Sequence, residues 1–173
     1  TTEVTYVYKE VKGNVVVHYT DEAGNTIAED VKDTTDGSVS SAYDTTDNKP
    51  ATITTKDGKL YVLVPTSTKG EESGKVTEGT TEVTYVYKEI TGNVVVHYVD
   101  TEGNVIADDK EDTKGASLNA KYDTTDNKLA KLEKDGVAYY LTAKELKDGS
   151  KPENGAVVEG TTEITYVYEK AGN

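Results

Sequence analysis

The 173 residues carry a formal net charge of -13, from 32 acids against 19 bases, and every base is Lys. An acidic surface of this kind repels duplex nucleic acid and anionic lipid leaflets, and with no Cys in the chain a disulfide, a thiolate metal site and a cysteine nucleophile are excluded. Phe, Trp and Met are absent too, so the 13 Tyr supply all the aromatic area. No apolar run reaches the ~18 residues of a membrane span. Hydrophobic content is 34% with a mean hydropathy of -0.65, but the apolar residues fall in alternating runs, which argues against disorder.

The chain opens on TTEVTYVYKE, Thr1–Glu10, and the same ten residues recur at Thr80–Glu89. A near-copy, TTEITYVYEK, closes it at Thr161–Lys170. GNVVVHY at Gly13–Tyr19 recurs at Gly92–Tyr98, and YDTTDNK at Tyr43–Lys49 recurs at Tyr122–Lys128, each at an offset of 79 residues. That period is longer than a solenoid unit of ~20–50 residues and long enough for each copy to bury a small core. The expected organisation is residues 1–12 as the closing strand of a preceding repeat or a tag-like extension, 13–91 as one repeat and 92–173 as the next. Gly172 and Asn173 match Gly92 and Asn93 at the start of a copy.

Within one copy, Val15, Val17 and Tyr19 alternate with Val16 and His18, the period of a half-buried strand. DEAGN makes a hairpin loop in which Gly24 supplies a positive φ, and a second strand follows around Thr26–Asp30 with Ile27 inward. Ser38 and Ser117 are expected to cap a short helix, with Tyr43 and Tyr122 packed on the sheet. Lys59–Val64 and Val137–Thr142 read as strands. In the closing strand, Val83, Tyr85 and Tyr87 share one face.

This order predicts an α+β, mostly β fold: two tandem β-grasp-like (ubiquitin-like) beads in which the first and last strands pair in parallel. Only Lys88–Thr91 separates one copy from the next, so the beads are expected end to end in an elongated, monomeric rod.

The motif of alternating Val, Tyr-x-Asp and x-x-Gly-x-x-Ile stands at Val15, Val17, Tyr19, Asp21, Gly24 and Ile27. It stands again at Val94, Val96, Tyr98, Asp100, Gly103 and Ile106. With Gly37, Tyr43, Thr45 and the closing TEVTYVYK, it resembles MucBP-type repeats. The resemblance implies a wall-anchored, extracellular surface adhesin of a Gram-positive bacterium. Such repeats lie between an adhesive head and a wall-sorting signal, some as spacers and some as mucin binders. The implied partners are adjacent repeats of the same chain and mucin or another host glycoprotein.

No nucleophile, base and orienter stand together in the sequence, and no phosphate loop is present, so no enzyme activity and no cofactor are expected. His18 and His97 occupy equivalent places without a metal-ligand spacing, and read as outward strand residues. Asp44, Asp47 and Asn48 would offer oxygens to Ca²⁺, but Asx-turns account for them more simply. Most Tyr residues must fill cores; Tyr61 and Tyr140 are the candidates for an exposed ledge that stacks on sugar rings.

Overall fold

A computed structural model describes residues 1–172; Asn173, matched above to Asn93, lies outside them. The chain divides into two compact units, Thr1–Lys56 with Tyr61–Glu89, and Asp57–Leu60 with the residues from Ile90 onward.

In the first unit the strands are β1 (Lys12–Asp21), β2 (Thr26–Ser38), β3 (Ala42–Asp44), β4 (Thr52–Thr54), β5 (Leu60–Leu63) and β6 (Ser73–Lys75). Next comes β7 (Gly79–Asp100), whose first half belongs to this unit and whose second half belongs to the other. Residues Lys88–Thr91, read from sequence as a link, lie inside it. The strand order is β2-β1-β7-β5-β4, with β3 and β6 forming a small separate ribbon. In the second unit β8 (Val105–Ser117), β9 (Lys121–Asp123), β10 (Lys131–Lys134), β11 (Val137–Leu146), β12 (Asn154–Ala156) and β13 (Gly160–Lys170) repeat the plan. Their order is β8-β7-β13-β11-β10, with β9 and β12 as the ribbon.

The opening and closing strands of each unit pair in parallel, as expected. Gly13–Asp21 run beside Gly79–Tyr87, and Gly92–Asp100 beside Gly160–Tyr168, each in unbroken register. This pairing sets the burial. Val15, Val17, Val83, Tyr85 and Tyr87 are fully enclosed in the first unit, and Val94, Val96, Ile164, Tyr166 and Tyr168 in the second.

Two glycines are demanded by this geometry. A Cβ on Gly13 would lie 1.8 Å from the Thr77 carbonyl oxygen, and one on Gly92 would lie 1.9 Å from that of Val158. The segments that lead into β7 and β13 cross there at backbone contact distance, so no side chain fits. The expected hairpin is present: Gly24 takes φ +91°, and Asp21 Oδ1 accepts from the Ala23 and Asn25 amides at 2.9 and 2.8 Å.

The expected helix is not formed. Ser38 and Ser117 end strands β2 and β8 instead of starting a helix, and β2 runs well past Asp30. The described residues hold only 3₁₀ turns: Thr45–Asn48, Pro65–Ser67 and Thr125–Asn127. Two features explain this. Ala42–Asp44 are taken up by pairing with Ser73–Lys75. Asp44 Oδ1 then accepts from the Thr46 amide at 2.9 Å and from its hydroxyl at 2.7 Å, an Asx arrangement that closes one tight turn and no more. The fold is therefore mostly β, and the α component of the expectation is corrected. Thr1–Val11, whose sequence is that of a closing strand, has no strand structure, and its side chains are exposed.

Candidate functional site

Tyrosine is where a binding site was expected, and the structure divides the Tyr residues sharply. Eight of them keep their rings in the two cores while their hydroxyls reach the loops above. Tyr19 donates to the Asn48 carbonyl at 2.5 Å and Tyr87 to that of Pro50 at 2.7 Å. Tyr43 donates to Glu71 at 2.9 Å, and the Tyr85 hydroxyl meets Thr45 Oγ1 at 2.7 Å. The second unit repeats all four contacts. Tyr98 reaches Asn127 at 2.6 Å, Tyr168 Leu129 at 2.7 Å, Tyr122 Pro152 at 2.8 Å and Tyr166 Thr124 at 2.7 Å. Burial pushes the phenols of Tyr85, Tyr87 and Tyr166 up to about 12.

Tyr61 lies in the core of the first unit, packed with Tyr19 and Tyr85. Tyr140 lies on the surface, 44% exposed, with the Lys131 ammonium 5.8 Å from its ring centre. The neighbour Tyr139 is buried, as strand alternation demands.

A cleft recurs in both units. In the second it encloses about 730 Å³ and is lined by Asp100, Glu102, Lys134, Asp135, Tyr139 and Tyr168. In the first a smaller cleft of about 200 Å³ is lined by the corresponding Asp21, Tyr61 and Tyr87. Its rim offers carboxylates and ammonium groups able to hydrogen-bond a polyhydroxylated ligand, while the hydroxyls of Tyr87 and Tyr168 are already given to Pro50 and Leu129.

The histidines sit elsewhere and are more heavily engaged than the sequence indicated. His18 Nδ1 is 2.8 Å from Asp30 Oδ1, and its Nε2 is 3.1 Å from Glu82 Oε1. His97 stands identically between Asp109 at 2.8 Å and Glu163 at 3.1 Å. A neutral imidazole has one N–H to give; the imidazolium has two, and only it satisfies both carboxylates. The hydrogen bond to Asp30, helped by Glu82, outweighs partial burial and raises the pKa of His18. At His97 burial pulls the other way, and Asp109 and Glu163 together overcome it. The parallel register was the missing signal. It places Glu82 opposite Val16, one diagonal step from His18 on the same face.

Asp44 and Asn48, weighed above as cation ligands, spend their side chains on the chain itself. Asp44 caps its turn, and Asn48 Nδ2 donates to Asp33 Oδ1 at 2.9 Å. Asp47 lies beside Asp33, whose carboxyl is pushed up by burial and by that neighbouring charge. Among the described residues no three His, Asp or Glu side chains are grouped to hold a metal. Among the described residues no helix is long and apolar enough to cross a membrane.

The MucBP domain family matches residues 14–88 and again 93–169. The chain belongs to that family. Both MucBP matches carry the tyrosine anchors, the histidine pair and the parallel ladder described above. Over 88 residues, 51% of its length, the chain is 58% identical to the muramidase-released protein of Streptococcus suis, of which it spans 7%. Among solved structures it is similar to SHIRT (Streptococcal High Identity Repeats in Tandem) domains 3-4 from a cell surface protein. That match has 9% identity and a TM-score of 0.41, covering 91% of this chain and 98% of that one. It is also similar to Mub-RV at 15% identity and a TM-score of 0.31, again covering 91% and 98%.

The histidine geometry sets a pH dependence. Because each folded imidazole has a raised pKa, its contribution to stability is fully present below the unfolded value of about 6.5. It is lost as pH rises through the raised folded value. The urea midpoint should therefore increase between pH 8 and pH 6, and a His18→Gln, His97→Gln double variant should lose most of that increase. An unchanged pH profile in the variant would contradict the assignment.

Proposed function

We propose that the chain is a pair of tension-bearing spacer repeats from a Gram-positive surface adhesin, holding a distal head away from the wall. The carrying observation is the parallel ladder that joins the first and last strands of each unit. In a parallel pair, the entry of the opening strand and the exit of the closing strand lie at opposite ends of the ladder. A pull along the chain then loads all the ladder hydrogen bonds together, in shear, instead of breaking them one at a time. The tandem copies and the muramidase-released relative support the same reading.

Pulling single molecules through their termini tests it. Two unfolding events are expected, each lengthening the chain by about 3.4 Å per freed residue. In the Cys-free chain, handles can also be attached at Lys12→Cys and Glu78→Cys, at the same end of the first ladder. That geometry peels the strands apart and should need a several-fold lower force. Equal forces in the two geometries would refute the spacer reading.

The recurring cleft, which Tyr61 lines in the first unit, and the exposed Tyr140 favour a second reading. In it the repeats hold mucin or a host glycoprotein weakly, and repetition supplies avidity. Saturable binding of the intact chain to immobilised mucin, reduced several-fold by Tyr140→Ala without loss of thermal stability, is the expected result. Absence of binding at high protein concentration would remove this reading.

A further inference from the structure

We propose that the second unit carries an oligosaccharide site on the sheet face turned away from its core. Tyr140 is its stacking platform, and a pocket beside it seats the adjoining sugar, which bears a carboxylate or a sulfate. The site rests on the second reading above, in which the repeats hold a host glycoprotein, and shares only Thr101 with the cleft that recurs in both units.

Strand alternation puts Tyr140 and its cross-strand partner Glu169 on the face opposite Tyr139, Leu141 and Tyr168. Next along that face come Thr142 on β11 and Val167 on β13. Here β11 leaves the ladder: its pairing jumps from Leu141 on Tyr168 to Leu146 on Tyr166, so the residues between arch away from β13. A pocket of about 400 Å³ lies there, lined by Val167, Leu146, Thr101, Thr142, Lys144 and Lys147. Glu145 holds the arch in a left-handed conformation, φ +67°, a strained position for a residue with a Cβ. Its amide donates to Thr142 Oγ1 at 3.2 Å and its carboxylate lies 3.4 Å from Lys128 Nζ, so the shape is set before a ligand arrives.

The two copies differ on this face. Val62 stands where the second copy has Tyr140. Val64, Pro65, Thr66 and Ser67 stand where it has Thr142, Ala143, Lys144 and Glu145. In the first unit the Val64 amide stays on the closing strand, donating to the Val86 carbonyl at 2.8 Å, and Pro65–Ser67 close a 3₁₀ turn. Platform and arch thus occur together in the second copy, and they adjoin.

The side chains select the ligand. An exposed tyrosine ring packs on the C–H face of a sugar, and Val167 with Leu146 gives the adjoining ring an apolar seat. Thr101 and Thr142 hydroxyls can bond sugar hydroxyls. Tyr140 and Thr142 are about 7 Å apart along the strand, a span that neighbouring rings of one oligosaccharide cover. Charge decides the substituent. Lys131 lies 3.4 Å from Glu133 and Lys144 is paired with Asp148, but Lys147 has no carboxylate at ion-pair distance among the described residues. An unpaired ammonium beside an apolar seat is complementary to an anionic group, in a chain whose charge of -13 otherwise repels one.

Amide NMR titration of the intact chain with lactose, sialyllactose and lactose sulfate tests the site. Both acidic sugars should move the signals of Thr101, Tyr140, Val167 and residues 142–148, and bind about fivefold more tightly than lactose. The tighter of the two shows whether carboxylate or sulfate is preferred. Lys147→Gln should bring both down to the level of lactose. Tyr140→Val, the residue of the first copy, should weaken all three sugars about threefold or more. Both variants should keep the thermal midpoint of the parent. Shifts that fall elsewhere, or a Lys147→Gln chain that keeps the preference for acid, overturn the site. Binding to immobilised mucin, measured in parallel, separates the two failures. Mucin bound with no shifts at these residues removes the site and leaves the second reading standing, whereas neither mucin binding nor shifts removes both.

Discussion

A chain with no Phe, Trp or Met leans on tyrosine to fill its cores, and eight of the ten buried tyrosines carry a hydroxyl that the chain itself must serve. Leaving such a group unpaired costs about 1–3 kcal/mol, so the fold has to provide a partner for each one. Here the partners are loop carbonyls and two buried threonines, Thr45 and Thr124. The requirement becomes a fastening. Rings of Tyr19, Tyr85 and Tyr87 pack against the sheet, and their hydroxyls hold the 45–50 turn over it. Loops that lack a helix to order them are ordered by the core itself.

The parallel ladder is the frame on which those anchors stand. Tyr85, Tyr87, Tyr166 and Tyr168 all project from closing strands, and Tyr19 and Tyr98 from the opening strands beside them. Gly13 and Gly92 let the preceding segment cross at backbone contact. The same ladder brings Glu82 to His18 and Glu163 to His97. One pairing thus decides the core, the loop anchors and the charged surface pair.

Much of this was legible in the residues. Alternating Val and Tyr in GNVVVHY and TEVTYVY marked the central strands and their buried faces, and the repetition marked the two copies. The hairpin was readable because Asp21, Gly24 and Asn25 each have a local reason to turn the chain. The helix expectation failed because Ser38 and Asp44 both carry capping chemistry, and sequence does not say which is used. That choice depended on β3 finding β6, a partner some thirty residues away. The histidine pairs were invisible for a similar reason: Asp30, His18 and Glu82 meet only through strand register. Tyr61 and Tyr140 looked alike as ring-bearing strand residues; tertiary packing separates them.

Removing a single anchor tests the account most directly. Tyr168→Phe keeps the ring and leaves the Leu129 carbonyl without its donor. The urea unfolding of the second unit should lose about 1 kcal/mol, while Tyr140→Phe at the exposed neighbouring position should change nothing measurable. If Tyr168→Phe were as stable as the parent chain, or more so, the hydroxyl anchors would be incidental and the tyrosine core no more than filling.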